Sequence, residues 1–165
     1  MPSRNRVKYY LTDSYYHIYN RGLNRQPIFH DAEDYAVFLN LLKRYLSPKE
    51  TKDLKGREYE SYYARIELLA FCLLPNHFHL LIFQKDATAI TGLLRAVSTS
   101  YTMYFNKKYR RSGPLFQERF KASLIYRDDY LQHISRYIHL NPSDYESWEF
   151  SSLPYYLARK KATWV

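Results

Sequence analysis

Two apolar runs meet at one break: Tyr63-Ala64-Arg65-Ile66-Glu67-Leu68-Leu69-Ala70-Phe71-Cys72-Leu73-Leu74, then Pro75-Asn76, then His77-Phe78-His79-Leu80-Leu81-Ile82-Phe83-Gln84. Proline has a fixed φ and no backbone N–H, so it interrupts a strand ladder. The length of the runs and the tightness of the break predict an antiparallel hairpin at the centre of a sheet. The same stretch argues against a membrane span. Its charge-free part, from Leu68 to Phe83, is interrupted by Pro75, Asn76, His77 and His79, whereas a spanning helix needs about 20 unbroken apolar residues.

Outward from this hairpin, residues 15–21 (Tyr-Tyr-His-Ile-Tyr-Asn-Arg) are aromatic and β-branched and read as a first strand closed by Gly22. Asp31 reads as an N-cap, with Glu33 and Asp34 in the first turn. Tyr35, Phe38, Leu39, Leu42, Tyr45 and Leu46 then follow helical spacing up to Ser47-Pro48. Residues 48–61 are polar and predict an exposed loop. A second helix carries Ile90, Leu93, Leu94, Val97, Tyr101, Tyr104 and Phe105 on one stripe, and a fourth strand is expected within 113–126. Asp128 or Asp129 opens a third helix that Pro142 must end near Asn141. The order β-α-β-β-α-β-α predicts an α+β, ferredoxin-like split βαβ antiparallel sheet with helices packed on one face. A single domain over 1–165 is expected, with a core of about 15–142 and a short tail, 143–165, that ends basic.

The composition narrows the partners. Hydrophobic residues make up 46% and charged residues 25% of the 165, which excludes a disordered or fibrous chain. The formal charge of +9 predicts an acidic polymer as partner, nucleic acid before an anionic membrane surface. One cysteine, Cys72, excludes an internal disulfide and a multi-cysteine zinc site. Residues 1–6 lack an apolar stretch behind their charges, so a cytoplasmic location is expected.

His77 and His79 are the sharpest chemical feature. In a strand, residues i and i+2 share a face, so two imidazoles stand side by side. They can chelate one divalent ion that takes further ligands, or form a hydrogen-bonded, half-buried pair. On the third helix, Tyr130, Tyr137 and Asn141 share a stripe bordering the apolar Leu131, Ile134 and Ile138. Asn141 offers a carbonyl oxygen, Tyr137 a hydroxyl, and His133 is a rival ligand. Tyr137 also suits a boundary-packing aromatic, one of 19 tyrosines. Residues 107–121 hold six basic side chains and one acid, Glu118, so five of the nine net charges lie there. Lys107, Lys108, Arg110, Arg111, Arg119 and Lys121 interleave with Phe116 and Phe120, the mixture that a single-strand groove requires.

Four ordered blocks now stand out: Tyr16-His17-Ile18-Tyr19-Asn20-Arg21-Gly22; Leu74-Pro75-Asn76-His77-Phe78-His79-Leu80-Leu81; Ser112-Gly113-Pro114-Leu115-Phe116-Gln117-Glu118-Arg119-Phe120-Lys121; and Tyr137-Ile138-His139-Leu140-Asn141-Pro142. Together they resemble the single-tyrosine HUH transposases and are most similar to the REP-associated tyrosine transposases. Trp148 through Ser151-Ser152 is similar to the short closing motif of those proteins. The resemblance implies a ferredoxin-like fold and a metal-dependent transposase that cleaves and rejoins single-stranded DNA through a 5′-phosphotyrosine bond.

By position, His77 and His79 match the metal ligands and Tyr137 the nucleophile. Asn141 stands where the family places Gln or another polar ligand. Mg²⁺ or Mn²⁺ is the implied cofactor. The implied partner is single-stranded DNA with a hairpin, at a palindromic repeat, bound by Arg21 and by the 107–121 cations with Phe116. A monomer and a homodimer are both left open, a nucleoid-associated location is expected, and the two rival readings are a domesticated hairpin-binding protein with little catalysis and a metallohydrolase with an activated water.

Overall fold

The computed structural model describes residues 10–48 and 51–165; residues 1–6, read above for a leader, and Lys49 and Glu50 of the polar loop lie outside them. The hairpin forms as expected. β2 (Ile66–Leu74) and β3 (His77–Gln84) run antiparallel, with Leu74 opposite His77. β1 (Ser14–Arg21) pairs with the far side of β3, and β4 (Lys121–Ile125) with the far side of β1. The order is β2-β3-β1-β4, antiparallel throughout, which is the split βαβ arrangement. Only β3 of the two hairpin strands is central; β2 is an edge.

α1 (Ala32–Leu46) starts at Asp31, whose side chain accepts the Asp34 N–H, and ends at Ser47 before Pro48. α2 (Ala89–Lys108) places Ile90, Leu93, Leu94, Val97, Tyr101 and Phe105 in the core. Both helices cover one face of the sheet, against Ile18, Phe71, Phe78, Leu80 and Ile82. Burying one such side chain contributes about 2–3 kcal/mol.

α3 (Asp128–His139) corrects the expectation of helices on one face. Its Ile134 and Ile138 pack on the opposite face, against Ala70, Cys72, Leu74, Leu81 and Ile125. The reason lies in the hairpin: both of its runs are apolar at consecutive positions, so both faces need cover. Small residues, Ala70 and Cys72, make room for a helix whose apolar stripe is narrow.

A second correction concerns Asn141. The helix ends at His139, and Leu140 is its C-cap, so Asn141 lies just past the last turn rather than on the helical stripe. Pro142 disfavours the α conformation at the residue before it.

The tail is also more engaged than its sequence suggests. Leu73 N–H donates to the Phe150 carbonyl at 2.8 Å and Ser152 N–H to the Phe71 carbonyl at 2.9 Å, so 150–152 closes the open edge of β2. Trp148 Nε1 donates to the Leu73 carbonyl at 2.9 Å. A short helix, α4 (Leu153–Tyr156), follows.

Candidate active site

Strand pairing fixes which side chains share the α3 face. Arg21 lies opposite His77, Tyr19 opposite His79, and His17 opposite Leu81; on β4, Lys121 lies opposite Tyr19 and Ser123 opposite His17. Partners directly opposite in an antiparallel pair point the same way. The face therefore changes along its length, from apolar under α3 to imidazoles, tyrosine and cations at the end beside the Pro75-Asn76 turn.

His77 and His79 rings lie 5.1 Å apart at 89°. His79 is buried, and its Nδ1 lies 2.9 Å from Nε2 of His17, a third imidazole from β1 whose ring plane is within 23° of its own. His79 Nε2 is buried with no protein partner. His77 Nδ1 lies 2.7 Å from the Asn76 side-chain oxygen, and the Asn141 side chain is near enough to His77 to raise its pKa. Asn141 thus reaches His77 from beyond the helix end. One turn earlier, the Tyr137 ring stands edge-on to His79 at 5.7 Å and to His17 at 6.1 Å, while remaining 47% exposed. A side chain so placed touches the buried pair and stays open to a large substrate.

Burial dominates the electrostatics. It pushes His17 down to about 4 and His79 down to about 3, with His17 and His77 adding repulsion at His79. His77 is also lowered by burial, against the raising effect of Asn141. All three are neutral near pH 7, the state in which imidazole is a ligand. Among the described residues, no group of three His, Cys, Asp or Glu side chains is arranged to hold a metal. The donors gathered here are two imidazoles and an amide oxygen. The buried, unpartnered His79 Nε2 beside His77 and Asn141 fits a divalent cation.

His133, the rival ligand, lines a recess of about 440 Å³ with His17, Tyr19, His79, Tyr130 and Tyr137, where it stacks on Tyr130. His17 and Tyr19 were not singled out in the sequence. The alternation Tyr15-x-His17-x-Tyr19-x-Arg21 carried the signal, but it needs the β1–β3 register to acquire meaning.

The basic residues fall into separate places. Arg21 and Lys121 line a groove of about 390 Å³ that also contains Arg25, Asn76 and His77. Arg21 Nε donates to Gln117 at 3.0 Å, and Lys121 pairs with Glu118 at 3.5 Å. Arg119 lines another cavity, of about 680 Å³, with Tyr62, Arg65, Arg95, Phe116 and Phe120. Phe116 also meets the core ring of Phe78 edge-on. Lys107 and Arg110 are exposed. Arg111 is tied to Asn106 and the Pro114 carbonyl. Lys108 is not the free cation that was expected: Asp31, Glu33 and Asp34 hold its ammonium at 2.8, 2.7 and 2.9 Å.

The IS200-like transposase family profile matches residues 10–141. The chain belongs to that family. Its fold is similar to that of a REP-associated tyrosine transposase solved bound to a REP hairpin, with TM-score 0.69 and 16% identity over 94% of this chain and 86% of that one. A candidate transposase from Deinococcus radiodurans is also similar, with TM-score 0.48 and 16% identity over 81% of this chain and 95% of that one. No curated protein matches the chain. Among the described residues, no helix is long and apolar enough to cross a membrane.

Proposed function

We propose that the chain is a divalent-metal-dependent transposase that cleaves and rejoins single-stranded DNA at hairpin sequences, with Tyr137 as the nucleophile. The observation that carries this reading is the meeting of Tyr137 and Asn141, from α3 and its end, with His79 and His77 from β3. The hairpin bound by the similarly folded REP-associated protein supports the choice of substrate.

His77, His79 and Asn141 would hold Mg²⁺ or Mn²⁺, which supplies Lewis-acid neutralisation of charge on the scissile phosphate. Tyr137 loses its phenolic proton as its oxygen bonds to phosphorus. The P–O3′ bond breaks, and the departing 3′-oxygen takes up a proton. One phosphodiester replaces another, so a second 3′-OH can reverse the step and join new DNA without ATP. The half-exposed phenol keeps space for in-line approach, since the reacting atoms must come to about 3–3.5 Å. Arg21, Arg25 and Lys121, around the groove that reaches His77, neutralise backbone phosphates. Tyr19 and Tyr130 offer ring faces beside Tyr137 on which unpaired bases stack.

The test is incubation with labelled single-stranded hairpin DNA and Mn²⁺ or EDTA. Metal-dependent cleavage that is lost in Tyr137→Phe and in His79→Ala is the expected result. Hairpin binding without cleavage by the wild-type protein, across several hairpins, would move the reading to a domesticated binding protein.

A further inference from the structure

We propose that His17 is a positioning residue for His79: its Nε2 accepts the Nδ1–H of His79 and so fixes the tautomer that leaves His79 Nε2 a free lone pair. The proposal rests on His79 being a metal ligand, as argued above.

The two nitrogens lie 2.9 Å apart, so one of them donates. A neutral imidazole carries a single N–H on its two nitrogens. If His17 donated, His79 would carry its proton on Nε2. That atom is buried and has no acceptor, so its N–H would be stranded and unable to bind a cation. If His79 donates instead, its own Nδ1–H is satisfied by His17, and Nε2 turns a lone pair toward the site. A ligand histidine is ordinarily oriented by such a partner on its second nitrogen.

The fold supports this division of roles. His17 and His79 sit diagonally across the β1–β3 ladder, because His17 opposes Leu81 and Tyr19 opposes His79. The two rings lie end to end through this bond, their planes only 23° apart, and each is less than one tenth exposed. Rigid neighbouring strands thus set the bond, with no loop that must close first.

Two measurements decide it. In the metal-free wild-type protein, a long-range ¹H–¹⁵N imidazole spectrum should show His79 as the Nδ1–H tautomer. The Nε2–H tautomer would overturn the proposal, and this readout needs no variant. Mn²⁺ affinity, followed by the electron paramagnetic resonance of the free ion, should fall about 10- to 100-fold in His17→Leu. In His17→Gln most of the affinity should return, since the amide oxygen can stand where Nε2 stood. Unchanged affinity in His17→Leu would contradict the positioning role. Equal Mn²⁺ binding by wild type and His79→Ala would instead overturn the ligand reading, a result separate from the tautomer.

Discussion

Lys108 shows how one residue can mislead a sequence reading. It sits in a run of cations, yet three carboxylates from the start of α1 surround it. Asp34 is fully buried and accepts hydrogen bonds from the His30 N–H, Tyr104, Tyr109 and Lys108. Removing Asp34 leaves the His30 N–H and the Tyr104 and Tyr109 hydroxyls without their acceptor, while Asp31 and Glu33 still hold Lys108. Asp34→Ala should therefore cost about 1–3 kcal/mol, read as a lower denaturation midpoint. Lys108→Met should lower stability while leaving the salt dependence of DNA binding unchanged. Lys121→Ala should do the reverse, flattening the slope of log K against log salt by about one. A Lys108→Met variant with intact stability and a flatter slope would contradict this division. None of it was legible locally, because Lys108 lies 77 residues from Asp31. His17 was hidden for the same reason: its partner is 62 residues away. By contrast, the pairing of His77 with His79 needed only the period of a strand.

Among the elements, those with strong periodic patterns matched their expectations, and the mismatches arose where two elements meet. The capped α1, the long α2 and the hairpin are all written in local spacing. The side on which α3 packs is not, because its stripe of Leu131, Ile134 and Ile138 fits either face until the small residues of β2 are set beside it. The edge of β2 is a further case. Ser152 Oγ accepts the Phe71 N–H at 2.8 Å and lies 2.6 Å from His139 Nε2, joining tail, edge strand and α3. Ser152→Ala should cost about 1–3 kcal/mol through the unsatisfied groups it leaves. A thermal melt matching wild type would show that the Ser152 hydroxyl does not stabilise this edge. Gly22 ends β1 where a Cβ would lie 2.0 Å from the Gln26 carbonyl oxygen. Gly22→Ala must therefore shift the backbone beside the Arg21–His77 groove.

At the scale of the whole molecule, three buried histidines couple folding to pH. Burial holds His17 and His139 down to about 4 and His79 down to about 3, all below the ordinary 6.5. Between those values the unfolded chain binds more protons than the folded one. The histidine contribution is thus complete above pH 6.5 and is lost as pH falls toward 4. Asp34 acts lower still. Burial pushes its carboxyl up, but the bonds from His30, Lys108, Tyr109 and Tyr104 outweigh this and hold it below 3.8. The melting temperature should be flat from about pH 7 to 8 and fall from about 6.5 downward, and a rise on acidification would contradict it.

The same burial that makes these imidazoles costly to charge keeps His17 and His79 neutral beside Tyr137. That phenol is one of 19 in the chain, so the most direct measurement asks which of them carries the DNA. A wild-type adduct formed with single-stranded hairpin DNA and Mn²⁺ would be digested and its nucleotide-bearing peptide sequenced by mass spectrometry. The account predicts a phosphotyrosine at Tyr137 and at no other position. A nucleotide on any other tyrosine, or cleaved DNA with no adduct, would contradict it.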